Sequence, residues 1–183
     1  MTTPPQNNGT QDAEQKAREL MQITAERAQT LRTMIDEKAL EPFLLNCVVM
    51  AFEDAVTHQV EAYDRGDYAG SLVWFDGAFA EGFVPEEEWG LDFERSLVSG
   101  HNQARVAERY RHFKKKAQAI KHLHAQATQP DWLINAMCVP LVDHIKDTAQ
   151  VALEMDDIEG VFAAFHFFDA APERFDPSEY QRR

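Results

Sequence analysis

Residues 61–79 read EAYDRGDYAGSLVWFDGAF, and this stretch predicts two helices joined by a tight turn. Gly66 stands between acidic residues at the centre, and glycine is the residue that most readily lets a chain reverse direction. Gly70 follows Tyr68 by two residues, and its lack of a side chain lets the second helix approach the first closely. The stretch is therefore predicted to form an antiparallel helical hairpin.

The same pattern returns 90 residues later, where residues 151–169 read VALEMDDIEGVFAAFHFFD. An ungapped alignment of the two stretches pairs acidic residues with acidic residues, apolar residues with apolar residues and a glycine with a glycine around the turn. We therefore predict two related hairpins, at about 42–80 and 131–169, unless two hairpins merely share their turn chemistry. They resemble tetratricopeptide-type hairpins, although a spacing of 90 residues rather than about 34 excludes a regular solenoid. The turn and scaffold positions are Asp64, Gly66, Asp67, Gly70, Asp157 and Gly160.

The remaining segments indicate one helical domain. Residues 1–11 are polar and contain two prolines, which predicts a disordered arm. Asp12 is a plausible N-cap for an extended N-terminal helix, and Pro140 is expected to interrupt or kink a later one. No stretch alternates in the manner of a β-strand. The predicted fold is all-α, with hairpins around one core in residues 12–171 and a frayed tail at 172–183.

Positive charge is concentrated in one segment of an acidic chain. The formal net charge is -13, yet seven of the 18 Lys and Arg residues lie within residues 105–121, where Glu108 alone opposes them. A helix at about 102–127 would carry an apolar stripe with spacings of 4, 3, 4 and 3, formed by Val106, Tyr110, Phe113, Ala117 and Ile120. We call the seven cations the basic ridge: Arg105, Arg109, Arg111, Lys114, Lys115, Lys116 and Lys121.

Three interpretations of the basic ridge are open at this point. It could contact the phosphate backbone of a nucleic acid, where each neutralised phosphate adds salt-dependent affinity. It could pair with the acidic hairpins, within one chain or between copies in a homo-oligomer. It could also be a plain solvated helix face.

No pattern of catalytic residues is present in the sequence. The chain has neither the G-x-x-x-x-G-K-[ST] phosphate loop nor the G-x-S-x-G nucleophile turn. Cys47 and Cys138 lie in apolar runs and are predicted to be buried thiols. We therefore predict no enzyme activity, no cofactor and no metal. A metal-binding bundle centred on Asp54, His58 and Glu61 is a weaker alternative, because these residues share one helix face.

The first hairpin also resembles a known family. DRGDYAGSL at 64–72, followed by AFAEGF and Pro85, is similar to a motif of the small terminase subunits of temperate tailed phages and related prophages. The apolar helix ALEPFLLNCVVMAFEDAV at 39–56 is similar to the helix that precedes the motif in that family. The resemblance covers about residues 38–90, with Ser71 in place of the usual alanine.

This resemblance implies a function in DNA packaging. Small terminase subunits are not enzymes; they bind double-stranded phage DNA, assemble as homo-oligomers and regulate the large terminase subunit. The basic ridge is then the candidate DNA contact. No apolar run reaches the roughly 18 residues of a membrane span, so we expect a cytoplasmic protein with no membrane partner. If the protein is phage-encoded, as the resemblance implies, this is the cytoplasm of the host bacterium. The alternative is an acidic helical-repeat adaptor or inhibitor that binds another protein.

Overall fold

The structure, a computed structural model, describes residues 8–79, 89–166 and 175–180, and within these ranges every regular element is helical. The predicted all-α fold is thus confirmed. The α-helices are α1 (Asn8–Asp36), α2 (Pro42–Asp64), α3 (Tyr68–Phe79), α4 (Gly100–Gln126), α5 (Asp131–Asp143), α6 (Val151–Glu154) and α7 (Ile158–His166). Short 3-10 helices occupy Phe93–Arg95 and Pro177–Tyr180.

The two predicted hairpin turns close with the same hydrogen bonds. Asp67 N–H donates to the carbonyl of Ala62 over 2.9 Å, and Asp157 N–H donates to the carbonyl of Ala152 over 2.8 Å. The residue before each aspartate has a left-handed backbone, with φ of 74° at Gly66 and 60° at Asp156. The similarity of the two stretches therefore reflects the same turn geometry at residues 62–67 and 152–157, while residues 167–169 of the second stretch lie outside the described residues.

Each turn aspartate also caps the helix that follows it. The Asp67 carboxylate accepts the Gly70 N–H over 2.9 Å, and the Asp157 carboxylate accepts the Gly160 N–H over the same distance. A Cβ at Gly70 would lie 2.2 Å from Asp67 Oδ2, and one at Gly160 would lie 2.4 Å from Asp157 Oδ2. The two glycines are needed chiefly because a capping carboxylate fills the space where their side chains would be.

The segment that leads into the second turn is not a uniform α-helix. Pro140 lies inside α5, and the hydrogen bonding changes to the π type over His144–Gln150 before α6 begins. Proline has no N–H to donate, so an uninterrupted α-helical ladder cannot run through this position. α5 nevertheless continues through Pro140 to Asp143, so the proline does not interrupt it, and the change to π-type bonding begins four residues later.

The N-terminal helix begins earlier than predicted. Residues 8–11 are the first residues of α1, so Asp12 is inside the helix and is not its N-cap. Extending an existing helix adds about one hydrogen bond for each residue fixed, which lets a polar segment continue it. Residues 1–7, the rest of the predicted arm, lie outside the described residues. Further along, α1 buries one face against the first hairpin through Ala17, Thr24, Ala28, Leu31 and Ile35.

Part of the predicted frayed tail is packed against the domain. Phe175 is buried, and its ring meets that of Phe52 edge-on at 5.8 Å between centroids. The Arg32 guanidinium of α1 donates to the carbonyl of Phe175 over 3.0 Å. Burial of one large aromatic ring outweighs the polar composition of its neighbours. Residues 172–174 and 181–183 of that tail lie outside the described residues.

The predicted apolar stripe of α4 is confirmed at all five of its positions, which are buried in the common core. The stripe faces α5 and α7, and the Phe113 ring lies 5.8 Å from the Phe165 ring of α7. The Tyr110 hydroxyl donates to the carbonyl of Trp89, which ties α4 to the segment before it. These contacts fix which side of α4 faces solvent.

Candidate nucleic-acid interface on α4

Helix α4 presents the basic ridge along most of its length. The helix has 27 residues and is therefore about 40 Å long at about 1.5 Å per residue. The ridge covers about 24 Å of this length. Arg109 and Lys116 are half-buried, and the other five cations are exposed: Arg105, Arg111, Lys114, Lys115 and Lys121.

The exposed cations point in different directions around the axis of α4. At about 100° per residue, Arg111 and Lys115 lie one turn apart on the side opposite the buried stripe. Lys114 and Lys121 fall on one flank of that line, and Arg105 falls on the other. A double-stranded nucleic acid that lies along α4 would therefore meet Arg111, Lys114 and Lys115 together, near the middle of the helix.

Three cations of the ridge lie over aromatic rings. The Lys114 ammonium is 5.7 Å from the Tyr110 ring centre, and the Lys116 ammonium is 4.5 Å from that of Phe43. The Arg105 guanidinium is 4.8 Å from the Phe162 ring centre. Such contacts are attractive and orient the charged group. The rings of Phe43 and Phe162 belong to α2 and α7, so no sequence signal within α4 could have identified them.

One end of the ridge joins α7. An Arg109 nitrogen lies 3.5 Å from Nδ1 of His166, and Arg105 and Arg109 line a depression of about 400 Å³ beside Phe162. Glu108 also lines this depression, so its charge is mixed. The end of the ridge near Arg105 is therefore a weaker anion site than its middle.

Four of the five exposed cations of the ridge are not paired with carboxylates of the described chain. The ion pairs found within the described ranges join other residues, and none includes Arg105, Arg111, Lys114 or Lys115. Pairing of these four cations with the acidic hairpins of the same chain is thus not observed among the described residues. The interpretations of the basic ridge that are still open are contact with a phosphate backbone, pairing with another copy of the chain, and simple solvation.

The acidic residues of the hairpins interact locally instead. The carboxylates of Asp67 and Asp157 cap α3 and α7. Glu61 lies 3.9 Å from Arg65 on its own helix, and Glu154 accepts a hydrogen bond from Gln150 over 2.9 Å. Of the other scaffold positions, Gly66 lies in the first turn and Asp64 is the last residue of α2, whereas Gly70 and Gly160 are the third residues of α3 and α7.

The residues of the alternative metal site, Asp54, His58 and Glu61, lie together on the surface of α2. The His58 ring lies 3.7 Å from Asp54 and 3.8 Å from Glu61, and it stacks on Trp74 at 4.4 Å between centroids. The two carboxylates face different nitrogens of the ring, since Asp54 lies nearest Nε2 and Glu61 lies nearest Nδ1. In the part of the chain that the structure describes, no group of three His, Cys, Asp or Glu side chains is arranged to hold a metal ion.

No protein-family model, curated protein or solved structure matches this chain. The likeness to small terminase subunits therefore rests on the motif at 64–85 and the apolar helix at 39–56, and Gly82, Phe83 and Pro85 of the motif lie outside the described residues. None of the helices in the described ranges combines the length and the apolar composition needed to cross a bilayer.

Proposed function

We propose that this protein is a non-enzymatic DNA-packaging factor of the small terminase type, which contacts the phosphate backbone of double-stranded DNA through α4. The main support is the group of Arg111, Lys114 and Lys115, three exposed cations on one side of a helix that its buried stripe holds in place. They make no ion pair with the described chain, so a polyanion can bind them without first displacing an internal carboxylate. Because no side chain of the ridge stands out as a base reader, we expect contact with the phosphate backbone rather than sequence readout.

The strength of this contact can be expressed as a salt dependence. Suppose that Arg111, Lys114, Lys115 and Lys121 each neutralise one phosphate. A plot of the logarithm of the binding constant against the logarithm of the salt concentration then has a slope of about -3.6. A change from about 50 mM to about 200 mM salt then weakens binding on the order of 100-fold. The loss of three contacts reduces the slope to about -0.9.

An electrophoretic mobility shift assay with double-stranded DNA at these two salt concentrations tests the proposal. The variant carries Arg111→Glu, Lys114→Glu and Lys115→Glu. The matched control carries Lys16→Glu, Arg65→Glu and Arg95→Glu, three exposed cations on other elements, and changes the net charge by the same amount. We expect the ridge variant to bind DNA much more weakly and with a smaller salt dependence. The control should lose only a little affinity, through its lower net charge.

Two outcomes would overturn the proposed DNA contact. An unmodified protein that gives no shift at low salt does not bind DNA directly. Equal loss in both variants would show that net charge, rather than the ridge on α4, controls binding.

The remaining parts of the proposal follow from the family resemblance. A small terminase subunit forms a homo-oligomer and delivers DNA to the large terminase subunit, so we expect this chain to self-associate and to bind that ATPase–nuclease. Multi-angle light scattering gives the oligomeric state, and a monomer at high concentration would contradict this assignment without affecting the test of DNA contact.

A further inference from the structure

Helices α2, α3 and α5 enclose a cleft of about 720 Å³. Its apolar walls include Met50 and Ala55 from α2 and Val139 and Pro140 from α5. The volume is within the range of about 300–1,000 Å³ that is typical of ligand sites. The cleft has no lining residue from α4, so it is separate from the basic ridge.

The mouth of the cleft is negatively charged. Glu53, Asp54 and Asp143 line it, together with the imidazole of His144. Partial desolvation, followed by the charges of Asp147 and Asp54, raises the pKa of the solvent-accessible Asp143 carboxyl. Desolvation lowers the pKa of His144 in spite of Asp54, which favours the neutral ring near pH 7. The mouth therefore holds clustered negative charge, which a positively charged ligand would stabilise.

Trp74 provides an aromatic face at the same place. The side chain is 40% exposed although it lines the cleft, and one side of its ring stacks on His58. On the same helix, Val73 is 68% exposed and extends the apolar surface. An arginine guanidinium suits such a site best, because it is planar, stacks on aromatic rings and can bind carboxylates at the same time.

We propose that this cleft binds an arginine side chain, flanked by apolar residues, from a segment of a partner protein. The negative mouth and the Trp74 ring would hold the guanidinium, and the apolar walls would take its neighbours. A single arginine side chain is much smaller than the cleft, so the flanking residues must fill the remaining volume. The site does not depend on DNA binding and would give the protein a second contact surface.

Gly77 gives a way to close the cleft without disturbing the fold. It lines the cleft within α3, and a Cβ built on it meets no heavy atom of the described residues within 4 Å. The substitution Gly77→Leu would therefore place a side chain in open space, and it also replaces the poorest non-proline helix former with a good one. The matched control is Gly100→Leu, at an exposed glycine outside the cleft that likewise has open space around its Cβ.

The test is a titration of the intact chain with a blocked pentapeptide, Ala-Leu-Arg-Leu-Ala, monitored by tryptophan fluorescence and by amide chemical shifts. We expect saturable binding, with the shifts concentrated in α2, α3 and α5. The same peptide with glutamine in place of arginine should bind at least about tenfold more weakly, since it lacks the charge and the cation–π contact. Gly77→Leu should abolish binding, Trp74→Leu and Asp54→Asn should each weaken it several-fold, and Gly100→Leu should leave it unchanged.

Three results would overturn the proposal. The first is the absence of saturable binding at millimolar peptide. The second is equal binding of the arginine and glutamine peptides, which would make the cleft a non-selective apolar surface. The third is an unmodified protein that is oligomeric but becomes monomeric with Gly77→Leu, which would show that a second copy of this chain occupies the cleft.

Discussion

The capping carboxylates predict an unusual energetic coupling between Asp67 and Gly70. In Asp67→Ala the first turn of α3 loses the bond to the Gly70 N–H, which should destabilise the protein by about 1 kcal/mol. In Gly70→Ala the new Cβ would lie 2.2 Å from Asp67 Oδ2, so the carboxylate must rotate away and the same bond is lost. Alanine is better than glycine in a helix by about 1 kcal/mol, so this single substitution should be nearly neutral.

The double variant separates the two effects. Once Asp67→Ala has removed the carboxylate, Gly70→Ala has no cap to displace, because the three atoms nearest its Cβ all belong to Asp67. Adding it should then stabilise the protein by about 1 kcal/mol, and the double variant should be about as stable as the unmodified protein. The coupling energy between the two positions is thus about 1 kcal/mol, where independent sites would give none.

Equilibrium unfolding in urea, followed by far-UV circular dichroism, measures this cycle, and each kcal/mol corresponds to roughly 2–4 °C in the melting temperature. The second hairpin supplies the control. A Cβ at Gly160 would also lie 3.1 Å from the Ala152 Cβ, which cannot rotate aside. Gly160→Ala should therefore remain unfavourable in the Asp157→Ala background. Additive effects at Asp67 and Gly70, within about 0.3 kcal/mol, would refute the steric account of Gly70 in the first hairpin.

The structure makes three further predictions. Ser71 is fully buried and its hydroxyl has no hydrogen-bond partner among the described residues, so Ser71→Ala should stabilise the protein by about 1 kcal/mol in the same unfolding assay; a loss of stability would mean that the hydroxyl is bonded. Desolvation and nearby carboxylates raise the pKa of Asp143, so its charged form disfavours folding. Asp143→Asn should then stabilise the protein at pH 7, and the gain should vanish as the pH falls below the ordinary aspartate pKa of about 3.9; a gain that is independent of pH would contradict this origin. Finally, burial and then the neighbouring Cys138 thiol raise the pKa of Cys47, and both thiols are fully buried, so a thiol-reactive dye should label them only upon unfolding.

The sequence predicted best the features that depend on neighbouring residues. The turn at Gly66 and its copy at Asp156 were found from local chemistry, because a left-handed residue and a capping aspartate act within one helical turn. The buried stripe of α4 was correct at every position for the same reason, since helical periodicity alone decides which side chains share a face.

The predictions were less accurate where distant segments meet. Phe175 was assigned to a frayed tail because its neighbours are polar, whereas the ring of Phe52 covers it. The predicted start of α1 was also wrong, because the position of a helix end depends on helix propagation as well as on capping residues.

The sequence by itself determined that this protein is helical, that it contains two similar hairpins and that its cations are concentrated on α4. Only the tertiary structure decided what surrounds those elements: which cations lie over the rings of Phe43 and Phe162, and that α2, α3 and α5 enclose an acidic cleft beside Trp74. The physical reason is the sequence separation over which each interaction acts. Turn chemistry and helical periodicity act over a few residues, whereas a cleft or a cation–π contact depends on how whole helices pack across long sequence separations.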